Sequence, residues 1–456
     1  MERMRDRRIR RGLCHEFQSL ATVERVECFV RPSFCMKKRL LASVLGLVMG
    51  SGLMGAEARW WKGNLHTHTL WSDGDDYPEM VADWYRGHGY HFLTLSDHNT
   101  LSSTERWISP AKLRTGEEAL RKYRERFGDK WVEERELDGK REVRLKRFSE
   151  YSGKMNEDGR FLMIPSEEVT GKAVHINATN LQEVILPYSG LGDRTSSGVV
   201  KAMQYVFDAV SEQRKRLGVP MFAHLNHPNF TWAVTAEELA QVDRARFFEV
   251  YNGHPTVHNA GDNVHAGTEA MWDIVLAERL GHLGKEVMYG IATDDSHRYH
   301  TEDPKSSTLG HGWVVVRSER LEVGALVEAM ERGDFYASTG VVLKEVKRVD
   351  GVLSVEVDAE PGVDYTIEFV GTRRGFDRTS HPVMDPKGEE MRVTRRYSAE
   401  VGAILASTRG ARAEYRLRGD ELYVRARVTS SKDQQRSPVA GDKERAWTQP
   451  VVGSAR

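Results

Sequence analysis

The chain has 456 residues, of which 39% are hydrophobic and 29% charged, so it is long enough for one large domain and a smaller one. Lysine and arginine total 66 against 67 aspartates and glutamates, but residues 1–58 contain 11 of the basic and only 6 of the acidic residues. The rest of the chain therefore has a net charge of about −6. That mild acidity argues against a protein that binds nucleic acid by neutralising phosphates.

The N-terminal region has the pattern of a secretory signal peptide at residues 36–58. A basic segment, residues 36–39, precedes an apolar run at 40–54, and Ala56-Glu57-Ala58 is a small-x-small cleavage pattern with cleavage after Ala58 or Ala56. A membrane anchor is the alternative, but the run is short for a span. Residues 1–35 are then expected to be an over-extended start.

The three cysteines, Cys14, Cys28 and Cys35, all precede the predicted signal peptide. The mature chain would contain no disulfide and no thiolate ligand. Any metal site must then be made of His, Asp and Glu.

Between residues 59 and 340, short apolar runs alternate with amphipathic stretches. The predicted strands are residues 91–95, 161–164, 220–223, 246–251, 287–292 and 312–317, and the predicted helices are residues 78–87, 198–217, 235–241, 267–280 and 321–332. Buried strands that alternate with helices favour a parallel sheet, closed or open.

Residues 103–160 interrupt this alternation. They are charged, helical at 116–126 and more extended at 141–148. We predict an insertion over one end of the sheet, either a substrate lid or a solvated surface excursion.

Residues 341–456 have a different sequence pattern, in which segments carry apolar side chains at every second position. The alternating residues are Leu353, Val355 and Val357, then Val363, Tyr365, Ile367 and Phe369, and later Leu422, Val424, Ala426 and Val428. This period predicts half-buried strands in a small antiparallel β domain.

Metal-ligating residue types follow the predicted strands. His66 and His68 are one residue apart, which on an extended segment points both imidazoles to one side. Imidazole is the commonest metal ligand in proteins. The other candidates at strand ends are Asp73, Asp97, His98, Glu167, Glu168, His175, His224, His227, Glu249, Asp294, Asp295 and His297.

These candidates come from six separate segments. In a barrel of parallel strands the carboxyl ends face one mouth, where catalytic residues collect. A single histidine could be a surface or core residue, but the collection predicts a site. The candidates outnumber the four ligands of one tetrahedral zinc ion, so we predict two or three metal ions that share carboxylate bridges.

The order of these motifs resembles the PHP (polymerase and histidinol phosphatase) superfamily from about Trp61 to Gly340. The matching motifs are His-x-His with Ser-Asp-Gly, Ser-Asp-His, Glu-Glu-Val-Thr with a later His, Asn-His-Pro and Asp-x-His. Residues 335–340 also resemble the closing motif of secreted, stand-alone members, some of which are grouped with carbaryl-type ester and carbamate hydrolases. The resemblance implies an α/β fold, a distorted (β/α)7 TIM-like barrel, here followed by a small antiparallel β-sandwich-like domain.

The resemblance also implies the ligands of two or three divalent ions, Zn, Mn or Fe. Glu168 is preferred to Glu167 because the family's motif ends in the ligand, and Asp295 to Asp294 because Asp-x-His spacing suits it. Many members have His where this chain has Asp73, so the metal preference stays open. The implied ligands are His66, His68, Asp73, His98, Glu168, His175, His227, Asp295 and His297.

A mechanism follows from such a ligand set. Two bound metals would lower the pKa of a water molecule and so supply a hydroxide for attack on phosphorus or on an acyl carbon. Arg298, with His300, is predicted to steady charge on the ester oxygens, although both could equally be solvated loop residues. Asp97 joins the predicted catalytic set as a residue that orients a ligand, and His224 and Asn226 are candidates to support ligands.

The leading hypothesis is an exported, periplasmic or extracellular, metal-dependent hydrolase of small-molecule phosphoesters. The alternatives are a carboxyl-ester or carbamate hydrolase with the same site, and a catalytically idle metal- or carbohydrate-binding module. A polymerase-linked nuclease is disfavoured because no polymerase domain follows and the body is acidic. No nucleic-acid partner is expected, and no membrane contact after signal cleavage.

Overall fold

The computed structural model describes residues 57–188, 194–303, 305–437 and 439–453. The predicted extension at 1–35, its three cysteines and the predicted signal peptide up to residue 56 lie outside the described residues. In the part of the chain that is described, no helix has both the length and the apolar character needed to cross a bilayer.

Strands and helices alternate up to residue 340. In chain order they are β1 (Arg59–Asn64), α1 (Pro78–Gly87), β2 (Phe92–Leu95), β3 (Arg106–Ile108), α2 (Gly116–Phe127), β4 (Glu134–Leu137), β5 (Lys140–Leu145), α3 (Phe148–Met155), β6 (Leu162–Thr170), β7 (His175–Thr179), α4 (Ser196–Leu217), β8 (Phe222–Leu225), α5 (Ala236–Gln241), β9 (Phe247–Asn252), α6 (Thr268–Glu278), β10 (Tyr289–Thr293), β11 (Trp313–Ser318), α7 (Val323–Glu331) and β12 (Phe335–Ser338).

The described residues after Gly340 form strands without helices. These strands are β13 (Leu343–Val349), β14 (Val352–Val357), β15 (Tyr365–Arg373), β16 (Ser380–His381), β17 (Arg396–Tyr397), β18 (Ala403–Arg409), β19 (Arg412–Arg416), β20 (Glu421–Asp433), β21 (Lys443–Thr448) and β22 (Val451–Val452).

One large sheet runs through the molecule in the order β10-β9-β8-β7-β6-β2-β1-β11-β12-β21-β20-β15-β18. From β10 to β1 four of the six pairings are parallel, and only β7 is antiparallel to its neighbours. The predicted alternation of strands and helices is thus confirmed as a mixed α/β structure with a mostly parallel sheet. The carboxyl ends of β1, β2, β6, β8, β9 and β10 all lie at one edge.

The two ends of this parallel row meet beyond the strands. Thr67, just after β1, forms a parallel bridge with Ser296, just after β10. The amide of His68 donates to the carbonyl of Ser296, and the amide of Asp295 donates to the carbonyl of His66, each over 3.0 Å.

The strand β7 is not predicted from the sequence. Its residues, His-Ile-Asn-Ala-Thr, include only two apolar side chains, so they form no apolar run. Hydrogen-bonded pairing with β6 and β8 makes this segment a strand, and Ile176 and Ala178 are buried. Tertiary pairing therefore overrides a weak local signal.

The insertion at residues 103–160 packs on the loop that follows β1. It contains the small sheet β3-β5-β4 and the helices α2 and α3. Trp71 and Tyr77 of the loop share a buried cluster with Tyr123 and Val143 of the insertion. Trp71 also donates from Nε1 to the Lys146 carbonyl over 3.1 Å. The insertion therefore fixes the loop that carries Asp73.

The C-terminal strands continue the large sheet and add a second one. The strand β21 pairs with β12, and the separate sheet β13-β14-β19 packs against β15 and β20. Leu343 and Val355 on one side meet Ile367, Phe369 and Val424 on the other in one buried cluster.

Candidate metal centre

Two paired segments bring the first ligand candidates together. Residues 66–68 and 295–297 lie side by side through the bridge between Thr67 and Ser296. Side chains alternate along extended chain, so His66 and His68 share one side, and Asp295 approaches both of their rings. Asp295 has a φ of 51°, in the left-handed region, which stores backbone strain at the site.

The ring nitrogens of His66 and His68 lie at almost equal distances from each other and from two carboxylate oxygens. The Nε2 atoms of His66 and His68 are 3.1 Å apart. Glu168 Oε2 lies 3.2 and 3.1 Å from these two nitrogens, and Asp295 Oδ1 lies 3.2 Å from each. We call His66, His68, Glu168 and Asp295 the inner group.

The five distances are close to those between the ligand atoms of a metal ion. A tetrahedral ion with bonds of about 2.0–2.1 Å holds its ligand atoms roughly 3.3–3.4 Å apart. Imidazole nitrogen with carboxylate oxygen is a donor set that suits zinc, manganese or iron. The residues present therefore fit a divalent metal.

Glu168 joins the inner group to a lateral group formed with His175 and His227. Its Oε1 atom lies 2.9 Å from His175 Nδ1 and 3.6 Å from His227 Nε2. The 2.9 Å pair has no hydrogen-bond geometry, which is expected of two atoms that face a shared ion. The Asn226 amide donates to the same oxygen over 3.0 Å. The two oxygens of Glu168 thus face two different sets of ligands, as in a bridging carboxylate.

An outer group lies on the other side of His68. Asp73 Oδ1 is 3.4 Å from His297 Nε2, 3.6 Å from His98 Nε2 and 3.8 Å from His68 Nδ1. The Asp73 side chain is 57% exposed, so this group lies at the mouth, whereas Glu168 is fully buried. All nine predicted ligands thus lie in the adjoining inner, lateral and outer groups.

Glu249 supports the ligands from behind and is the residue that sequence reasoning leaves without a role. Its Oε1 lies 2.7 Å from His66 Nδ1, and its Oε2 accepts from the His227 amide over 2.7 Å. Thr293 also donates to Oε1, over 2.7 Å. A carboxylate behind a ligand histidine fixes its tautomer and orientation. The position of Glu249 on a strand between ligand-bearing strands is the signal that could have identified it.

His224 and Asn226 differ in what they contact. Asn226 touches Glu168 and donates to the Asn177 side chain over 2.9 Å, so it supports a ligand. His224 is fully buried with both ring nitrogens unpartnered, and its Nε2 stops 3.6 Å from Glu249 Oε1. Burial lowers the pKa of His224, which keeps its ring neutral behind the centre.

Asp97 is buried behind the loop that follows β1. Its carboxylate accepts from the Thr69 amide over 2.7 Å, from the Thr69 hydroxyl over 2.8 Å and from the Ser72 hydroxyl over 2.6 Å. Asp97 therefore positions the loop that carries Asp73.

Arg298 lies at the mouth, next to the outer group. Its Nη1 is 3.5 Å from the Asp73 carbonyl and 3.9 Å from Asp75 Oδ2, and the side chain is 38% exposed. His300 faces away from the ligands, with Nε2 3.1 Å from the Asp75 carbonyl and Nδ1 3.2 Å from Lys122 Nζ. The structure thus brings Arg298 near the centre and leaves His300 outside it.

The neighbouring acidic residues, Glu167 and Asp294, have other partners. Glu167 accepts from the Ile185 amide over 3.2 Å, and burial raises its pKa to about 8. Asp294 accepts from the amides of Gly310, His311 and Gly312 over 2.7–2.9 Å. Only Glu168 and Asp295 of these two acidic pairs enter the centre.

The ligand carboxylates are held in their charged form. Burial would raise the pKa of Glu168, but His66, His98 and His175 bring it well below its usual range. Burial would also raise the pKa of Asp295, but His66, His68 and His297 lower it well below its usual range. The centre therefore keeps the negative charge that a cation needs.

In two of the ligand histidines, the pKa is raised instead of lowered. Burial would lower the pKa of His98, but Glu168 and Asp73 raise it to about 10. Burial would also lower the pKa of His66, but Asp295, Glu249 and Glu168 raise it well above its usual value. A metal ion must displace such protons when it binds.

Comparisons with known proteins give weak similarities of structure. A scan against models of protein families and a search of the curated proteins both find no match. Among solved structures, the chain is similar to a two-domain protein from Bacteroides vulgatus that contains a predicted PHP-like metal-dependent phosphoesterase, with 15% identity, a TM-score of 0.35 and coverage of 86% of this chain and 96% of that one.

A second solved structure is an inferred metal-dependent phosphoesterase from Bifidobacterium adolescentis. Here the identity is 14%, the TM-score is 0.25, and the similarity covers 52% of this chain and 87% of that one. Similarities at this level assign neither family nor function.

Proposed function

We propose that the protein is a metal-dependent hydrolase of phosphoesters, of the PHP type, that binds two or three divalent ions. One observation carries the proposal: the Nε2 atoms of His66 and His68 lie 3.1 Å apart, and each lies 3.1–3.2 Å from one oxygen of Glu168 and from one oxygen of Asp295. The lateral and outer groups would hold the further ions. The row β1-β2-β6-β7-β8-β9-β10 would form the distorted seven-stranded barrel, closed where Thr67 meets Ser296.

The metals, when bound, would supply Lewis acidity and a water of lowered pKa. The chain's own residues determine where this chemistry occurs. Glu168 ties the inner and lateral groups together, and Glu249 orients His66. Asp97 holds the loop that presents Asp73. These contacts preorganise the ligands, which reduces the reorganisation that catalysis requires.

Cationic side chains at the mouth favour a phosphoester over a carbamate. Arg298 lies beside Asp73, and Lys172 and Arg194 line a small cavity of about 60 Å³ with His175 and His227. Guanidinium and ammonium groups recognise the charged oxygens of phosphate. A neutral carbamate offers them no such charge.

Export is a further part of the proposal and rests on the sequence of residues 36–58. The basic segment, the apolar run and the Ala-Glu-Ala pattern support a signal peptide. The site needs no cysteine, which suits an oxidising compartment.

Metal content and hydrolysis, measured together on the purified protein, test the proposal. The substrates are p-nitrophenyl phosphate, bis-p-nitrophenyl phosphate and 1-naphthyl methylcarbamate. We expect two or three ions per chain and turnover of a phosphoester. Less than about one ion per chain, or turnover of the carbamate alone, would contradict the proposal.

Two variants sharpen this test. His66→Ala removes an inner ligand and should abolish hydrolysis. Asp73→Ala touches only the outer group, so it should lower the metal content by about one ion and leave the inner ion bound. Equal loss of metal in both variants would argue against separate inner and outer sites.

A further inference from the structure

A large cavity adjoins the candidate metal centre. Its volume is about 1240 Å³, above the roughly 300–1,000 Å³ of most small-ligand sites, and it lies between α6 and the strands β15, β18, β20 and β21. We call it the α6 groove.

The α6 groove begins at the metal centre. Asn252 lines the groove, and its side-chain amide donates to Asp295 Oδ2 over 3.1 Å. His254 also lines the groove, and its ring lies 5.5 Å from the ring of His297. An ester bound at the metals could therefore extend its organic part into the groove.

The floor of the groove contains a buried guanidinium with an unused donor. Arg425 is fully buried, and it donates from Nε to Asp273 over 2.9 Å and from Nη2 to Asp273 and Glu269 over 2.7 and 3.0 Å. Its Nη1 has no hydrogen-bond partner. A buried donor without an acceptor is costly, so an acceptor supplied by a ligand would be favoured here.

A second donor lies on the same wall. Trp447 Nε1 has no acceptor at hydrogen-bond distance and angle, although Glu269 is close enough to interact with it electrostatically. Trp447 is 3% exposed, so water has little access to this atom.

The charges of the groove are balanced. Among the described residues that line it, five arginines face five carboxylates and there is no lysine. Arg427 pairs with Glu368 over 2.7 Å and with Glu269 over 3.0 Å, and Arg445 pairs with Asp442 over 2.9 Å. Paired guanidinium and carboxylate groups offer both donors and acceptors without excess charge. Arg396, which also lines the groove, donates to the Asn263 carbonyl over 3.0 Å. Hydroxyl groups match this lining, whereas an anion would face as many carboxylates as guanidinium groups.

From these observations we propose that the α6 groove binds a neutral, polyhydroxylated carbohydrate chain, the organic part of the ester cleaved at the metal centre. The substrate class would then be a phosphorylated saccharide with more than one sugar unit. This inference rests on the proposed function for its link to the metal centre, but the binding itself can be measured without hydrolysis.

The test is calorimetric titration of the full-length protein with maltotriose, cellotriose and chitotriose. We expect saturable binding of at least one of them. Arg425→Lys keeps a positive charge beside Asp273 but removes Nη1 together with the Nε and Nη2 donors, and it should weaken binding about fivefold to tenfold. Arg425 is fully buried, so its substitution also affects the packing of the core. Arg427 is half-buried, and Arg427→Gln therefore gives a second groove variant that leaves the core intact.

The matched control is Arg317→Gln. Arg317 pairs with Glu345 over 2.8 Å at similar exposure but does not line the groove, so this variant should bind as the wild type does. No saturable binding of any trisaccharide, or equal affinity in both groove variants and the control, would overturn the inference. Binding of inositol hexakisphosphate that depends on Arg427, with no trisaccharide binding, would also overturn it in favour of an anionic ligand.

Failure of the proposed function gives a different result. His66→Ala should lose hydrolysis and keep trisaccharide binding, because His66 does not line the groove. If the wild type binds a trisaccharide but hydrolyses no ester, the carbohydrate site stands and the proposed hydrolase function is refuted. If it hydrolyses a phosphoester but binds no trisaccharide, the hydrolase function stands and the carbohydrate site is refuted.

Discussion

Glu249 shows how one buried carboxylate can control the presentation of two ligands. It lies 2.7 Å from His66 Nδ1 and accepts from the His227 amide, while neither of its oxygens lies in the inner group. Its negative charge favours a proton on His66 Nδ1, which leaves Nε2 free to face the other donors.

Glu249→Gln should therefore weaken metal binding by about 10–100-fold. Whichever way the new amide turns, its NH₂ group faces a proton donor, either His66 Nδ1 or the His227 amide. The measurement is competition with a chromogenic chelator. Glu421→Gln, at a fully buried carboxylate in the C-terminal strands, is the matched control and should bind metal as the wild type does. Equal affinity in the two variants would refute this role of Glu249.

The buried carboxyl group of Asp76 makes the stability of the folded protein depend on pH. Burial is the main cause that raises its pKa to about 8, and the neighbouring charges of Asp75 and Glu79 add to the effect. The folded protein thus binds a proton that the unfolded chain loses near pH 4, so this group lowers stability as pH rises from about 4 to about 8.

Asp76→Asn should remove that dependence, because the amide oxygen can still accept from the Tyr77 amide. We expect similar Tm values for variant and wild type near pH 5, and a variant that is more stable by a few degrees near pH 9. Thermal unfolding across this range is the measurement. A Tm difference that stays constant with pH would contradict the assigned cause.

At the scale of the element, the loop between β1 and α1 depends on close approach at Gly74. A Cβ there would lie 2.6 Å from the Thr69 amide nitrogen and 2.7 Å from the His68 carbonyl oxygen. The Gly74 amide also donates to the Thr69 carbonyl over 3.0 Å. This tight turn places Asp73 against His98 and His297.

Gly74→Ala should open the turn, displace Asp73 and lower both the Tm and the affinity of the outer group for metal. Gly87→Ala, at the end of α1 with nothing within 4 Å of its added Cβ, is the control and should be neutral or slightly stabilising. Metal content and thermal unfolding are measured on both. Full metal binding by Gly74→Ala would show that the turn tolerates a side chain.

At the scale of the whole molecule, the C-terminal strands complete the part that carries the metal centre. The side chain of Gln449 makes two hydrogen bonds with the backbone of Gly290 in β10, over 3.0 and 2.8 Å. Leu422, Tyr423 and Trp447 belong to the same buried cluster as Trp272 of α6.

A chain that ends at Gly340 should therefore lose its cooperative unfolding transition. It would expose the unpaired edge of β12 and the apolar surface that Trp447 and Leu422 cover. Circular dichroism on heating and size-exclusion chromatography are the measurements, with the full-length protein as reference. A soluble fragment with the wild-type Tm would show that the two parts fold independently.

The sequence by itself determined which residue types the centre uses. The His-x-His and Asp-x-His spacings predict side chains on one side of an extended segment, so His66, His68, Asp295 and His297 can be proposed without a structure. The alternation of apolar runs and helices likewise predicts the mostly parallel sheet, since both signals depend only on neighbouring residues.

Only the tertiary structure decided how these segments combine. The strand β7, the support of His66 by Glu249 and the α6 groove at Arg425 all depend on contacts between residues far apart in the chain. Such contacts leave no periodic pattern in the sequence, because each of the two contacting segments follows only its own local pattern. Local periodicity thus predicts the ligands, whereas long-range packing determines what positions them and which groove lies beside them.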